Sequence, residues 1–176
     1  MLGKEYETTL AKCSLFRGMS PGERQELLAL LEPKSYTPGS SFFSEGESIQ
    51  YIWIVLRGRC QVFKKAHSEE ETELGIIEPY GIFGEMSFFH PAPHSASVRA
   101  LSEVEVVRLP RDKYDGLLQS GSLAAYKIAF NTMGVLIDRI RRMDNSIADR
   151  LQRNNAPDHR EEWKEFHSKL YTGWTF

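Results

Sequence analysis

The residues with the most chemistry to offer lie together in the run Phe83-Gly84-Glu85-Met86-Ser87-Phe88-Phe89-His90-Pro91-Ala92-Pro93-His94-Ser95-Ala96-Ser97-Val98-Arg99-Ala100. A glycine-led turn opening a one-turn helix presents backbone N–H groups without partners inside the helix, and such groups hold phosphate. Glu85 beside them repels a phosphate but accepts a hydrogen bond from a sugar hydroxyl. Ser95 and Ser97 add hydroxyl donors. A small anionic sugar phosphate suits that set, although a Gly-Glu pair alone is not specific for one. His90 and His94 stand four apart, but Pro91 and Pro93 break the shared helical face that metal ligation at this spacing needs. No further nearby Cys, His or carboxylate completes a ligand set, so no metal is expected. No His and Asp arrangement surrounds Ser87, Ser95 or Ser97 as nucleophilic catalysis requires, so the chain is not expected to be an enzyme. Cys13 and Cys60 read as small buried side chains.

The elements that must position this run change character along the chain. Ser20-Pro21-Gly22-Glu23 supplies an N-cap, a proline at the first helical position and a capping glutamate, so a helix follows it. Leu27, Leu28, Leu30 and Leu31 give that helix its apolar face, and Pro33 is expected to close it. From Tyr36 to Leu109, glycines and prolines punctuate short runs rich in β-branched and aromatic residues. The runs are Tyr51 to Leu56, Cys60 to Phe63, Leu74 to Ile77, Ser97 to Leu101 and Val104 to Leu109. Such spacing predicts an all-β sandwich, jelly roll or barrel. Gly58, between two of the runs, suits a hairpin turn with a positive backbone angle.

After Pro110 the pattern turns helical: a short helix over Arg111 to Leu118, a Ser120-Gly121-Ser122 break, and a long helix over Leu123 to Leu151. In the long helix Leu123, Tyr126, Phe130, Met133, Ile137, Ile140, Asp144, Ile147 and Leu151 are spaced alternately by three and four, a heptad seam broken at Asp144. Self-association is expected through Tyr126, Phe130, Met133, Ile137, Ile140, Ile147 and Leu151. Beyond it, Asn154 to Pro157 breaks the helix, and Trp163, Phe166, Leu170 and Trp174 fall near one face of a terminal amphipathic helix. The organisation expected is N-terminal helices over 1–35, a β domain over 36–110, a short and a long helix over 111–151, and a linker with a terminal helix over 152–176.

The chain has 176 residues, 22 Lys plus Arg against 24 Asp plus Glu, and a hydrophobic fraction of 41%. Those values exclude wholesale disorder and a strongly basic nucleic-acid binder. The longest apolar run, Tyr51 to Leu56, is far short of the roughly 20 residues a membrane helix needs. The start MLGKEYETTL lacks the apolar core of a secretion signal, so a soluble cytoplasmic protein is expected.

Three segments in order resemble the cyclic nucleotide-binding domain family, the β-roll of catabolite activator proteins and of protein kinase A regulatory subunits. They are Pro38-Gly39-Ser40-Ser41-Phe42-Phe43-Ser44-Glu45-Gly46-Glu47, then Trp53-Ile54-Val55-Leu56-Arg57-Gly58, then Phe83-Gly84-Glu85, followed by a long helix. The resemblance runs over about Leu15 to Leu151 and implies a mainly β fold with flanking α: a double-stranded β-helix (jelly roll or β-roll) with N-terminal helices and a long C-terminal helix. It implies that Phe83, Gly84 and Glu85 open a phosphate-binding cassette. Amides of Met86 and Ser87 would receive the cyclic phosphate, and Glu85 the ribose 2′-hydroxyl. The ligand implied is cyclic AMP or cyclic GMP, with no further cofactor. His94, followed by Ser95 and Ala96, stands where the family usually has an arginine that pairs with the phosphate. One missing charge-assisted hydrogen bond costs roughly 1.5–3 kcal/mol. Tyr80-Gly81 stands where the family often has Gly followed by an acidic residue. The purine is expected to meet the long helix near Tyr126 to Phe130.

Family members that read DNA carry a helix-turn-helix domain after the long helix. Only 25 residues follow Leu151 here, with four basic and four acidic side chains among them. The expected role is therefore a regulatory sensor, homodimeric and acting on an effector protein, with no direct DNA or membrane binding. The competing expectation is a degenerate roll that serves as a dimeric interaction module or senses another small anion.

Overall fold

A computed structural model describes residues 4–65 and 70–153. Chain contacts divide it into two units, Met1–Met133 and Gly134–Phe176. In the first, α1 (Lys4–Leu10), a 3-10 turn (Ser14–Phe16) and α2 (Pro21–Leu28) precede eight strands. The capping box that starts α2 is formed, with Ser20 N donating to Glu23 at 2.5 Å and Glu23 N to Ser20 Oγ at 3.3 Å.

The strands are β1 (Glu32–Tyr36), β2 (Ser41–Phe43), β3 (Tyr51–Arg57), β4 (Cys60–Lys65), β5 (Glu71–Ile77), β6 (Ile82–Phe83), β7 (Ser97–Ala100) and β8 (Val104–Pro110). They form two antiparallel four-stranded sheets in the orders β1-β8-β3-β6 and β2-β7-β4-β5. The inner faces share one core in which Phe42, Phe43, Val98 and Ala100 of one sheet meet Trp53, Val55, Phe83 and Val106 of the other. This is the mainly β roll with flanking helices. β3 reads as one continuous apolar run because both its faces are buried: Trp53 and Val55 enter the shared core, and Ile52 and Ile54 are equally buried opposite.

Three local expectations change. The helix ends at Leu28, and Pro33 sits inside β1 instead of closing a helix. β1 is an edge strand paired only with β8, and an edge is where a sheet tolerates a residue with no N–H. Gly58 has the expected positive angle, φ +83°, but it turns the chain from one sheet to the other and closes no hairpin. A Cβ there would lie 2.1 Å from the Glu103 carbonyl, so the corner itself demands glycine. Tyr80 adopts φ +71°, the left-handed region that glycine takes without strain.

After β8 come α4 (Arg111–Gln119) and α5 (Leu123–Arg153). Within the first unit, the start of α5 is tied to the N-terminal helices. Lys127 Nζ reaches both Glu23 carboxylate oxygens at 2.7 Å, and Asn131 Nδ2 donates to the Leu15 carbonyl at 2.9 Å. In the second unit, residues 134–153 continue α5, with Arg141 and Asp138 paired at 3.8 Å. The expected terminal helix, with Trp163, Phe166, Leu170 and Trp174, lies outside the described residues.

Candidate functional site

The site is built where β6 gives way to α3 (Glu85–Phe89). Pairing of Trp53 with Phe83 puts their rings 5.3 Å apart and within 1° of parallel. Gly84 then reverses the chain at φ +81°, and a Cβ on it would stand 2.5 Å from the Trp53 ring and 2.6 Å from the Tyr51 carbonyl. Only glycine satisfies both the angle and the approach. The first α3 amide to find a carbonyl within its own turn is Phe88 N, donating to Gly84 O at 3.2 Å. The amides of Met86 and Ser87 precede it at the helix end, where intrahelical acceptors are lacking. Glu85 is 2% exposed and Ser87 is buried, whereas Met86 points outward at 59% exposure.

Opposite this turn, the chain entering β7 is stitched to the β2–β3 loop. Gly46 N donates to His94 O at 2.9 Å, His94 N donates to Glu47 O at 2.8 Å, and Glu45 N donates to Ser97 Oγ at 2.9 Å. The stitching drives the His94 side chain inward to 5% exposure. Its ring stacks on Phe43 with centroids 3.6 Å apart and 12° between planes, and its Nδ1 pairs with Ser87 Oγ at 3.1 Å. Burial holds the imidazole pKa below its ordinary value, against the pull of the Ile49 carbonyl and the Glu47 carboxylate. The Ile49 carbonyl does not close a hydrogen bond onto Nε2, which is buried without a partner among the described residues.

The structure thus brings Phe83, Gly84, Glu85 and Ser87 together on the cassette turn and joins His94 to Ser87 directly. Ser95 is exposed and Ala96 half-buried at the lip. Arg99 lies in β7 but is engaged elsewhere: Nε donates to Gln61 Oε1 at 2.8 Å, and the guanidinium meets Glu71 at 2.8 Å. Tyr126 and Phe130 are 58% and 73% exposed on α5, and among the described residues neither makes a ring contact or hydrogen bond with α3. His90 is exposed while His94 is buried, so the two do not share a face.

The residues that wall the site were not singled out from sequence. Phe43 and Trp53 approach His94 only through pairing of distant strands, a relation that no local spacing encodes. Arg111 was also missed: its NH1 donates to the Phe88 carbonyl at the end of α3, its Nε meets Asp115 at 2.7 Å, and Gln50 O receives its backbone N–H at 3.2 Å. The Phe88 ring packs edge-on against Tyr114 at 5.2 Å, and Tyr114 OH donates to the Ala125 carbonyl in the first turn of α5. A basic residue directly after Pro110 was the one available signal. Cys13 and Cys60 are buried, and burial pushes their thiols up to about 11 and about 12, which keeps them protonated and unreactive at neutral pH.

A glycine-opened turn, a buried carboxylate and an aromatic-walled imidazole thus lie together in a two-sheet β-roll. The model of the cyclic nucleotide-binding domain matches residues 33–139, and the chain belongs to that family. It is 31% identical over 140 residues to a CRP-like cAMP-activated global transcriptional regulator of Mycobacterium tuberculosis, covering 80% of this chain and 61% of that protein. The crystal structure of the Thermus thermophilus catabolite activator protein superposes with a TM-score of 0.67 at 25% identity, over 81% of this chain and 72% of that one. A cyclic nucleotide-binding domain from Methylobacillus flagellatus shares the fold with a TM-score of 0.75 at 23% identity, over 84% of each chain. The chain spans about three fifths of the length of the curated relatives it matches. Among the described residues, no helix is long and apolar enough to cross a membrane.

Proposed function

We propose that this chain is a non-catalytic, cytoplasmic sensor of a cyclic nucleotide, cyclic AMP or cyclic GMP, that signals through α5. The observation that carries the reading is Gly84, held left-handed against Trp53, which sets a 2%-exposed Glu85 beside the free end of α3. A carboxylate next to helix-end amides suits a ribose joined to a phosphate better than either alone. Met86 and Ser87 amides take the phosphate, Glu85 the ribose, and the exposed α5 aromatics Tyr126 and Phe130 the purine. The link from Phe88 through Tyr114 to Ala125 gives a route by which the cassette biases α5.

Homodimerisation follows from α5. Phe130, Met133, Ile137 and Ile140 are all at least 43% exposed, an apolar stripe that nothing among the described residues covers. Met143, 49% exposed, carries the stripe past half-buried Asp144 towards half-buried Ile147. The side chain of Leu151 lies outside the described residues. Output then passes to an effector protein and not to DNA directly; a salt-sensitive gel shift by this chain on a defined operator contradicts that part.

Isothermal calorimetry with cyclic AMP and cyclic GMP tests the reading. Heat and thermal stabilisation are expected with one of them, and Glu85→Ala is expected to remove both. Neither heat nor stabilisation at millimolar nucleotide overturns it. That result favours the second reading, a degenerate roll serving as a dimeric module or sensing another anion, for which the observation is a His94 ring stacked on Phe43 in place of a guanidinium.

A further inference from the structure

The apolar surface of residues 134–153 is wider than a two-helix seam. Ile137, Ile140 and Ile147 keep the alternating three- and four-residue spacing, and two helices packed on each other bury that spacing alone. Leu136 and Met143 add a second apolar strip beside it, Leu136 half-buried and Met143 49% exposed. Three apolar positions in each heptad mark a helix that faces a bundle core, where a third helix covers the added strip. We propose that the third helix is this chain's own tail: residues 158–174 fold back antiparallel along α5 and lay Trp163, Phe166, Leu170 and Trp174 along the strip of Leu136 and Met143. The contact leaves Ile137 and Ile140 to the partner copy proposed above, and it does not depend on the nucleotide reading.

Length, pattern and charge single out this occupant. α5 ends at Arg153, and the four residues Asn154 to Pro157 are a connection of the length that joins antiparallel neighbouring helices. As a helix, residues 158–174 reach back about 25 Å, against about 30 Å from Gly134 to Arg153. Counting back from the connection brings Phe166 near the level of Met143 and Trp174 near that of Leu136. Trp163, Phe166, Leu170 and Trp174 recur every three or four residues, the spacing of one helical face. The tail sequence opens acidic, with Asp158, Glu161 and Glu162, and the α5 sequence closes basic, with Arg150 and Arg153. Antiparallel packing sets those two ends side by side, each with the charge that suits its helix dipole. Residues 134–153 and the tail also belong to one unit of the chain.

Disulfide trapping in the full chain tests the fold-back. Met143→Cys with Phe166→Cys is expected to close a bond within one chain about tenfold or more faster than Asn145→Cys with Phe166→Cys, because exposed Asn145 starts from another face of α5. Cys13 and Cys60 are buried and stay out of the exchange. Mixing isotope-labelled with unlabelled chains before oxidation separates a bond within a chain from one between chains. In the chain without added cysteines, Leu136→Asp with Met143→Asp is expected to speed hydrogen exchange of the tail amides about tenfold or more, while the roll keeps its protection. Equal bond-forming rates for the two cysteine pairs overturn the proposal, as do tail amides that exchange like an unstructured peptide in the unaltered chain. A bond that forms only between chains also overturns it and assigns the tail to the partner copy. Sedimentation equilibrium reads the dimer separately. A fast bond within a monomeric chain supports the fold-back and overturns the seam dimer; a dimer without that bond overturns the fold-back and leaves the dimer standing.

Discussion

The roll interior and the outer stripe of α5 are both strongly apolar, yet they end in opposite environments. Phe43, Trp53, Phe83 and His94 pack against one another between two sheets, Phe43 stacked on His94 and Trp53 on Phe83. Phe130, Met133, Ile137 and Ile140 lie on one helix and face outward. The interior rings are satisfied by the chain itself, so a change there is felt as strain. The stripe is left open among the described residues, so under the dimer proposal a change there is felt in association.

The largest effect expected is at Gly84. Gly84→Ala forces a side chain into the left-handed region and against Trp53, and it is expected to cost roughly 2–5 kcal/mol, measured by denaturant unfolding. Nucleotide binding is lost with it. A cost below about 0.5 kcal/mol, the range of an ordinary surface substitution, shows that the approach to Trp53 does not constrain the turn.

Next in size is the stripe. Phe130→Glu with Ile137→Glu removes two side chains that contribute about 1.5–3 kcal/mol each when buried against a partner, raising the dimer dissociation constant more than tenfold. Sedimentation equilibrium measures it, while the unfolding of the separated protomer stays nearly unchanged because both positions are exposed. Unchanged association with a less stable roll contradicts the contrast between the two surfaces.

A smaller effect is expected from pH in the ligand-free protein. His94 has a folded pKa below 6.5, so the unfolded chain binds a proton that the folded chain refuses. This contribution to stability is complete above 6.5 and is lost as pH falls from there towards the folded value. Melting temperature against pH, compared with His94→Gln, isolates it; a variant with the same acid-side slope assigns the effect to another group.

The smallest effect is a gain. Tyr80 holds φ +71°, and Tyr80→Gly relieves a left-handed backbone at about 1 kcal/mol, offset in part by the greater freedom glycine has when unfolded. A melting temperature that falls shows that the ring, which lies 5.5 Å from Lys12 Nζ, contributes more than the strain removes.

Much of this was legible before folding, for reasons that differ by residue. The run Val104 to Leu109 is β-branched and apolar enough to be read directly as the strand β8. The Ser20–Glu23 capping box and the heptad spacing of α5 are local patterns, and local patterns survive in a linear chain. Gly84 and Glu85 were readable as a turn with a carboxylate. The walls were not. Phe43 and Trp53 belong to strands of different sheets, and their meeting with His94 is fixed by registers such as Trp53 with Phe83. β1 was hidden by Pro33 and by a mostly exposed edge strand that shows no alternation. Gly58 was legible as a turn but not as a corner between sheets, because its constraint comes from the Glu103 carbonyl, 45 residues away.

The most direct test of the central claim is a crystal structure of the chain grown with cyclic AMP and, separately, one grown with cyclic GMP. The account predicts the phosphate at the amides of Met86 and Ser87, with the ribose on Glu85. Nucleotide bound away from the α3 turn, or no nucleotide beside Glu85 in either crystal, contradicts it.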